Sequence, residues 1–432
     1  MEASLIQVAN DFASLQHIYR KISWKLLPLL FVSYVVAYID RVNVGFAKLE
    51  MLSDLAMSEA AYGLGAGVFF LGYFLLEVPS NLIMHRVGAR LWIGRIMISW
   101  GILSGVMSHV QNEHQFYLVR FLLGVAEAGF FPGILLYLGY WYPAGLRARV
   151  TALFMAAVPV AGIIGGPLSG WIMKYLEGHG GQRGWQWMYW LEALPAVILG
   201  LHVAFRLPDS PSDARWLSDS EIQLVNNQIA LENQQKAHGR FVDALRDARF
   251  WLLCLIYFCL VMGNYGVSFW LPSVIKGSGV TDPGQVGLLS AIPWIGALIA
   301  MLLVSASADK RREYRWHVAV PALVGAIGFY LAATHLNGTA GALAAMTMAA
   351  CGIITSLPIF WSLPAATLTG VAAAGGIALI NSVGNLAGFL SPYLVGWLHD
   401  QTGSSVVGMY ALALFLGLGG LLTLTVREQH RN

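Results

Sequence analysis

Twelve apolar stretches, each long enough to cross a bilayer, decide what this chain can become. They run over about 24–47, 60–85, 89–109, 115–141, 147–176, 186–206, 249–276, 284–307, 315–335, 339–362, 371–398 and 403–426. A membrane helix needs roughly 20 such residues. In lipid every backbone N–H and C=O must be satisfied within the segment, which leaves helices as the spanning form for stretches of this length. The composition agrees: 57% of the 432 residues are hydrophobic, 11% are charged, and the mean hydropathy is +0.62. A soluble domain carries roughly 25% charged residues, so this chain lacks the polar groups to cover a globular surface. The expected fold is an all-α membrane protein, in contact with the lipid bilayer over most of its outside.

One polar segment, 207–248, divides the spans six and six, and its middle reads as an amphipathic surface helix. Three units follow: a six-helix bundle over 1–206, a central loop over 207–248 and a second six-helix bundle over 249–432. Placing both termini in the cytoplasm puts 20 of the 26 basic residues on that side, among them Arg86, Arg90 and Arg95, Lys236 and Arg240, Lys310 to Arg312, and Arg427 and Arg431. Lys48, Lys174, Arg183 and Lys276 stay outside, and Arg41 and Arg120 lie inside spans. So strong a bias of Lys and Arg sets orientation. The first 23 residues lack the pattern of a cleaved secretory signal.

The halves echo each other. "SNLIMHRVGARLWIGR" follows span 2 and "SASADKRREYRWH" follows span 8. "GGPLSGW" in span 5 answers "SPYLVGW" in span 11. Related bundles of this kind are a plan of secondary transporters.

The informative residues are the embedded charges. Span 1 carries Asp40 and Arg41, and span 4 carries Arg120 and Glu127. Each costs about 2.5–3.5 kcal/mol to insert at mid-membrane, so it persists where it pairs or lines a water-filled path. Arg120 and Glu127 are two turns apart on one helical face, about 10 Å along the axis, with Gly124 between them. Protonation of Asp40 or Glu127 would leave the group of four net positive. It would free an arginine to bind a carboxylate, ideally as a two-pronged fork. Proton and anion would then favour each other's binding, because such coupling is reciprocal. The plainer alternative is a fixed ion pair stapling two helices.

The strings "YIDRVNVGFA", "FLGYFLLEVPSNLIMHRVGARLWIGR", "VRFLLGVAEAGFFPG", "YWYPAGLRARVTALF" and "YGVSFWLPSVIK" resemble the anion:cation symporter branch of the major facilitator superfamily. The resemblance covers nearly the whole chain. It implies the major facilitator fold and a symporter that carries a small organic anion, of the tartrate, phthalate, hexonate or sugar-acid kind, with protons by alternating access. It assigns proton coupling to Asp40 and Glu127, and anion binding or gating to Arg41 and Arg120. One departure is plain: the loop after span 2 reads "NLIMHRVGAR", without the acid usual in the superfamily, so that acid's gating role has no residue here unless Glu77 upstream replaces it.

Further candidates to complete a substrate site are Tyr38, Tyr73, Asn264, Tyr265, Trp270, Trp361, Asn381 and Asn385. A polar amide inside a span needs a partner, either another helix or a ligand. Each aromatic taken alone reads first as core packing or an interface anchor. Glu192 reads as a structural group bonded to a neighbouring helix, and Glu77 as part of the loop's charge network.

Enzyme motifs are missing: there is no GxxxxGK[ST], HExxH, GxSxG or CxxC, and "GLGAGV" lacks its third glycine. Cys254, Cys259 and Cys351 show no metal-ligand spacing. No cofactor, metal or nucleic-acid partner is expected, and a monomer in the inner cell membrane is. An apolar span 5, "ALFMAAVPVAGIIGGPLSG", leans the expected cargo toward a small or aromatic acid over a hexonate or glucarate. An exporter is the remaining alternative, although embedded arginines favour an anion over a cation.

Overall fold

The computed structural model describes residues 2–235, 245–334, 338–367 and 370–426. Lys236, Arg240, Arg427 and Arg431, and the part of the central loop over 236–244, lie outside the described residues.

Twelve membrane-length helices are present: Leu15–Asp54, Glu59–Val87, Ala89–His109, Glu113–Trp141, Gly145–Tyr175, Gly184–Arg206, Ala248–Gly277, Pro283–Arg311, Arg315–Thr334, Thr339–Pro364, Gly376–Thr402 and Val406–Thr425. They are numbered here as spans 1 to 12. No strand occurs among the described residues. Side chains such as Phe205, Leu303 and Leu414 are largely exposed on the outside of the helices, as a lipid-facing surface requires.

Side-chain caps start several of the spans. Ser58 caps span 2 by accepting from the N–H of Ala61, Asn112 caps span 4 by accepting from Gln115, and Asp282 caps span 8 by accepting from Gln285. Span 4 is broken immediately after Glu127. Ala128 is extended, Gly129 takes φ 89°, and a second helix starts at Phe130. Only glycine takes that φ at little cost, and a Cβ at Gly129 would lie 2.3 Å from Ser80 Oγ. The Glu-Ala-Gly-Phe string of the sequence is thus a helix break placed beside an embedded acid, a device that transporters use around binding sites.

The two six-helix bundles meet along two seams. Span 2 packs on span 11, and span 5 packs on span 8. Both seams are tightest at the end carrying Asp54 and Asp400, the end expected to face outward. Gly63 lies against the Pro392 carbonyl, and Gly287 faces the Gly166 carbonyl, where an added Cβ would come within 2.3 Å in each case. Asp400 accepts from the N–H groups of Glu59 and Ala60 at the start of span 2 (3.2 and 2.9 Å). The molecule is therefore closed at this end.

The segment after span 6 is docked on the first bundle. Tyr137 donates to the Pro208 carbonyl (2.8 Å), Asp209 accepts from the Arg90 N–H (2.8 Å), and Trp216 stacks on Trp141. The surface helix expected in the central loop is present over Asp219–Gln235.

Candidate functional site

The site is built around Arg41, which is 6% exposed at the end of the long first helix. Its Nη2 donates to Glu127 Oε1, joining spans 1 and 4 by a buried ion pair. Its Nη1 reaches the Tyr265 hydroxyl of span 7 at 3.4 Å, and its Nε has no partner. The guanidinium lies beside the rings of Phe69 and Tyr73, 5.6 and 5.4 Å from their centroids. One guanidinium thus touches three spans and both bundles, with donor capacity left over.

A small polar set continues from it between spans 1 and 7. The Tyr38 hydroxyl shares a hydrogen bond with Ser268 Oγ (3.2 Å) and accepts from Asn264 Nδ2 (3.2 Å). Asn264 Oδ1 is buried and unpartnered. Arg41, Glu127, Tyr38, Tyr73, Asn264 and Tyr265 therefore do come together. Ser268 belongs with them and was missed, because a lone serine in a span carries no signal of its azimuth.

The other candidates lie outside this hydrogen-bonded set, and the four embedded charges are not joined by hydrogen bonds into one cluster in this state, although Arg120 shares the Phe69 ring with Arg41. Asp40 turns away from Arg41. Its oxygens accept from Trp100 Nε1 (2.9 Å) and Ser104 Oγ (3.0 Å) of span 3. Adjacent helical residues point about 100° apart, so the pair is split between two neighbours. Arg120 is fully buried but donates to the carbonyls of Gly65 (3.4 Å) and Ala66 (3.1 Å) in span 2, and its guanidinium lies over Phe69. Trp270 lies under Lys48 at the closed end that carries Asp54 and Asp400, away from Arg41. Trp361 packs on Tyr257 and Phe360 in the second bundle.

Asn381 and Asn385 serve Glu77. Asn381 Nδ2 donates to Glu77 Oε1 (2.9 Å) and Ser382 Oγ to Oε2 (3.1 Å), with Asn385 as a further donor. Glu77 is 4% exposed and joins span 2 to span 11, so it is an inter-bundle group rather than a member of the loop's charge network. Glu192 accepts from Ser169 Oγ (2.6 Å) and Asn43 Nδ2 (3.0 Å), linking span 6 to spans 5 and 1. Among the described residues no group of three or more His, Cys, Asp or Glu is placed to hold a metal ion.

Chemically, the Arg41 centre can exchange one carboxylate for another. Glu127 occupies one prong of the fork, and a second carboxylate could occupy the same donors if Glu127 were neutralised.

Comparison with known proteins gives this arrangement a setting. The model of the Major Facilitator Superfamily matches residues 30–392. A protein of Pseudomonas putida named as a metabolite transport protein, NicT, is 46% identical over 412 residues, covering 95% of this chain and 94% of that protein. One of Agrobacterium vitis named as a tartrate transporter is 47% identical over 411 residues, covering 94% of each. Among solved structures, a bacterial homologue of the human lysosomal transporter Spinster, inward-facing and occupied, superposes with a TM-score of 0.73 at 17% identity. That match covers 93% of this chain and 96% of the other, and it speaks for the fold alone.

Proposed function

The chain belongs to the major facilitator superfamily and is a multi-pass membrane transport protein, not an enzyme; from that premise we propose that it is a proton-coupled symporter importing a small organic carboxylate by alternating access. The observation that carries this reading is the state of Arg41. It is a buried guanidinium, held by a single oxygen of Glu127, with its Nε unpartnered and a tyrosine of the opposite bundle within reach.

Protonation of Glu127 removes the charge that holds Arg41. The fork is then free for the carboxylate of the cargo. Tyr38, Asn264 and Tyr265 stand where they can accept from or donate to its hydroxyl or second carboxyl group. When the cargo leaves, Arg41 takes Glu127 back and the proton departs. Asp40 is the second acid of the scheme, placed between Arg41 and span 3. The name of the relative from Agrobacterium vitis supports a tartrate-like acid, as does the absence of an amide in span 5. The excess of Lys and Arg at the end that carries the central loop over 207–248 supports cytoplasmic termini, and the protein works as a monomer in the inner membrane.

Uptake into proteoliposomes under an inward proton gradient tests this, with a panel of carboxylates and Glu127→Gln beside the parent. The expected result is gradient-driven accumulation of one acid in the parent, and exchange without accumulation in the variant. Accumulation by the variant with undiminished proton dependence would remove Glu127 from the scheme. Movement of an organic cation and of no carboxylate would overturn the anion reading.

A further inference from the structure

Glu192 is a buried acid that the scheme above does not use. It is 3% exposed, and its two partners, Ser169 and Asn43, are both neutral and each 1% exposed. No ion pair to Glu192 occurs among the described residues. The ionisable groups near it are Asp40 of span 1 and Tyr189, one turn back on its own span. A carboxylate inside a membrane protein with no cation paired to it is strongly disfavoured, and a neutral carboxyl there is a bound proton.

Both partners also line a small cavity between spans 1, 5, 7 and 8, together with Ser268, Ser290, Gly166 and Trp294. No ionisable side chain lines it; Glu192 stands one hydrogen bond behind its wall, on Ser169 and on Asn43. Asn43 Oδ1 is buried without a partner, so the cavity wall carries a free acceptor. The cavity ends on the span 5–span 8 seam, where Gly166 meets the Gly287 backbone. Parting that seam would open the cavity toward the outer side.

We propose that Glu192 is a third proton-carrying group, loaded from the outer side through this cavity when the span 5–span 8 seam parts. A hydronium in the opened cavity gives its proton to Ser169 Oγ while the Ser169 hydroxyl proton passes to the Glu192 carboxylate, leaving water, an unchanged serine and a neutral acid. When the site empties inward, Asp40, the nearby carboxyl across span 1, releases its own proton first and then takes and passes on the proton of Glu192. The inference rests on the symporter reading and extends it: the cargo travels with one more proton than Asp40 and Glu127 alone would carry.

The experiment is the proton-to-carboxylate ratio, read from the reversal potential of transport in proteoliposomes, for the parent and for Glu192→Gln. Glutamine mimics the protonated acid: its Oε1 still accepts from Ser169 Oγ, and turning the Asn43 amide over lets Asn43 Oδ1 accept from its Nε2, so the variant is expected to fold. The expected result is a ratio lower by one proton, with exchange retained. An unchanged ratio would overturn the proposal while leaving the symporter intact. A parent that moves its carboxylate with no proton would overturn the symporter reading, and this inference with it. Should Glu192→Gln fail to assemble, Ser169→Ala decides. Its uptake is expected to fall several-fold at alkaline external pH and to recover at acidic external pH, whereas a pH profile identical to the parent's would overturn the relay.

Discussion

Lys48 Nζ stands 3.5 Å from the ring centroid of Trp270, so a cation of the first bundle rests on an aromatic face of the second at the closed end of their interface. Lys48 is 4% exposed and is also held by Glu59 at 2.6 Å, within its own bundle. The ion pair survives any separation of the bundles, but the ring contact does not. A desolvated cation–π contact is worth about 2 kcal/mol. Trp270→Leu should therefore shift the equilibrium toward the outward-open form by roughly 30-fold. Spin labels at Ser53→Cys and Gln401→Cys, which flank the outer end, would read this as a longer distance gaining population. An unchanged distance distribution would mean that the ring only packs.

The glycine seams make a steric prediction in the same direction. A Cβ at Gly63 would come within 2.3 Å of the Pro392 carbonyl, and backbone cannot step aside as a flexible side chain can. Overpacking costs about 1–3 kcal/mol, which disfavours outer closure by roughly 5- to 150-fold. Gly63→Val should bind substrate from outside yet lose net uptake. Normal uptake by Gly63→Val would show that the seam has slack.

The two arginines should part company under the same substitution. Arg120 satisfies two backbone carbonyls of span 2, whereas Arg41 faces the space between the bundles. Hydrogen bonds from a charged donor are worth about 1.5–3 kcal/mol each, and a lysine cannot reproduce the fork. Arg120→Lys should lower the melting temperature of the substrate-free protein. Arg41→Lys should chiefly weaken carboxylate binding, by about tenfold or more. Thermal unfolding with and without substrate separates the two. A substrate-binding loss in Arg120→Lys without a stability loss would return Arg120 to the anion site.

These contrasts mark how far the residues could be read in advance. The twelve spans were legible because apolar length is a local property, and so was the placing of Asp40, Arg41, Arg120 and Glu127 inside the spans, where all four are buried. Their partners were not legible. Asp40 and Arg41 are neighbours in sequence, yet which helix each meets depends on the rotation of span 1 against spans 3, 4 and 7. The same azimuth problem sent Trp270 to the outer seam and Asn381 to Glu77. Gly129 was visible as part of a motif, but its role as a break in span 4 appears only with its φ of 89°.

The segment after span 6 supplies a prediction outside the membrane. Glu221 accepts from Lys21 Nζ at 2.8 Å, and with Ser218 it forms the reciprocal cap that starts the helix over Asp219–Gln235. The Lys21 hydrogen bond, and then the Ser218 N–H, hold the Glu221 carboxyl below its ordinary range. A carboxyl whose folded value is depressed contributes stability above its unfolded value and loses it as pH falls through the folded one. The anchor of this helix on span 1 should thus be intact at neutral pH and released only in acid, below about pH 4.3. Protection of the amides over 219–231 from exchange, taken relative to the intrinsic rate at each pH, should fall on acidification in the parent. Lys21→Ala should exchange faster at neutral pH and respond less to acid. The effect is modest because the pair is partly exposed to solvent. Equal exchange in parent and variant at every pH would mean that the Trp141–Trp216 stack and the Tyr137–Pro208 hydrogen bond hold the segment without the ion pair.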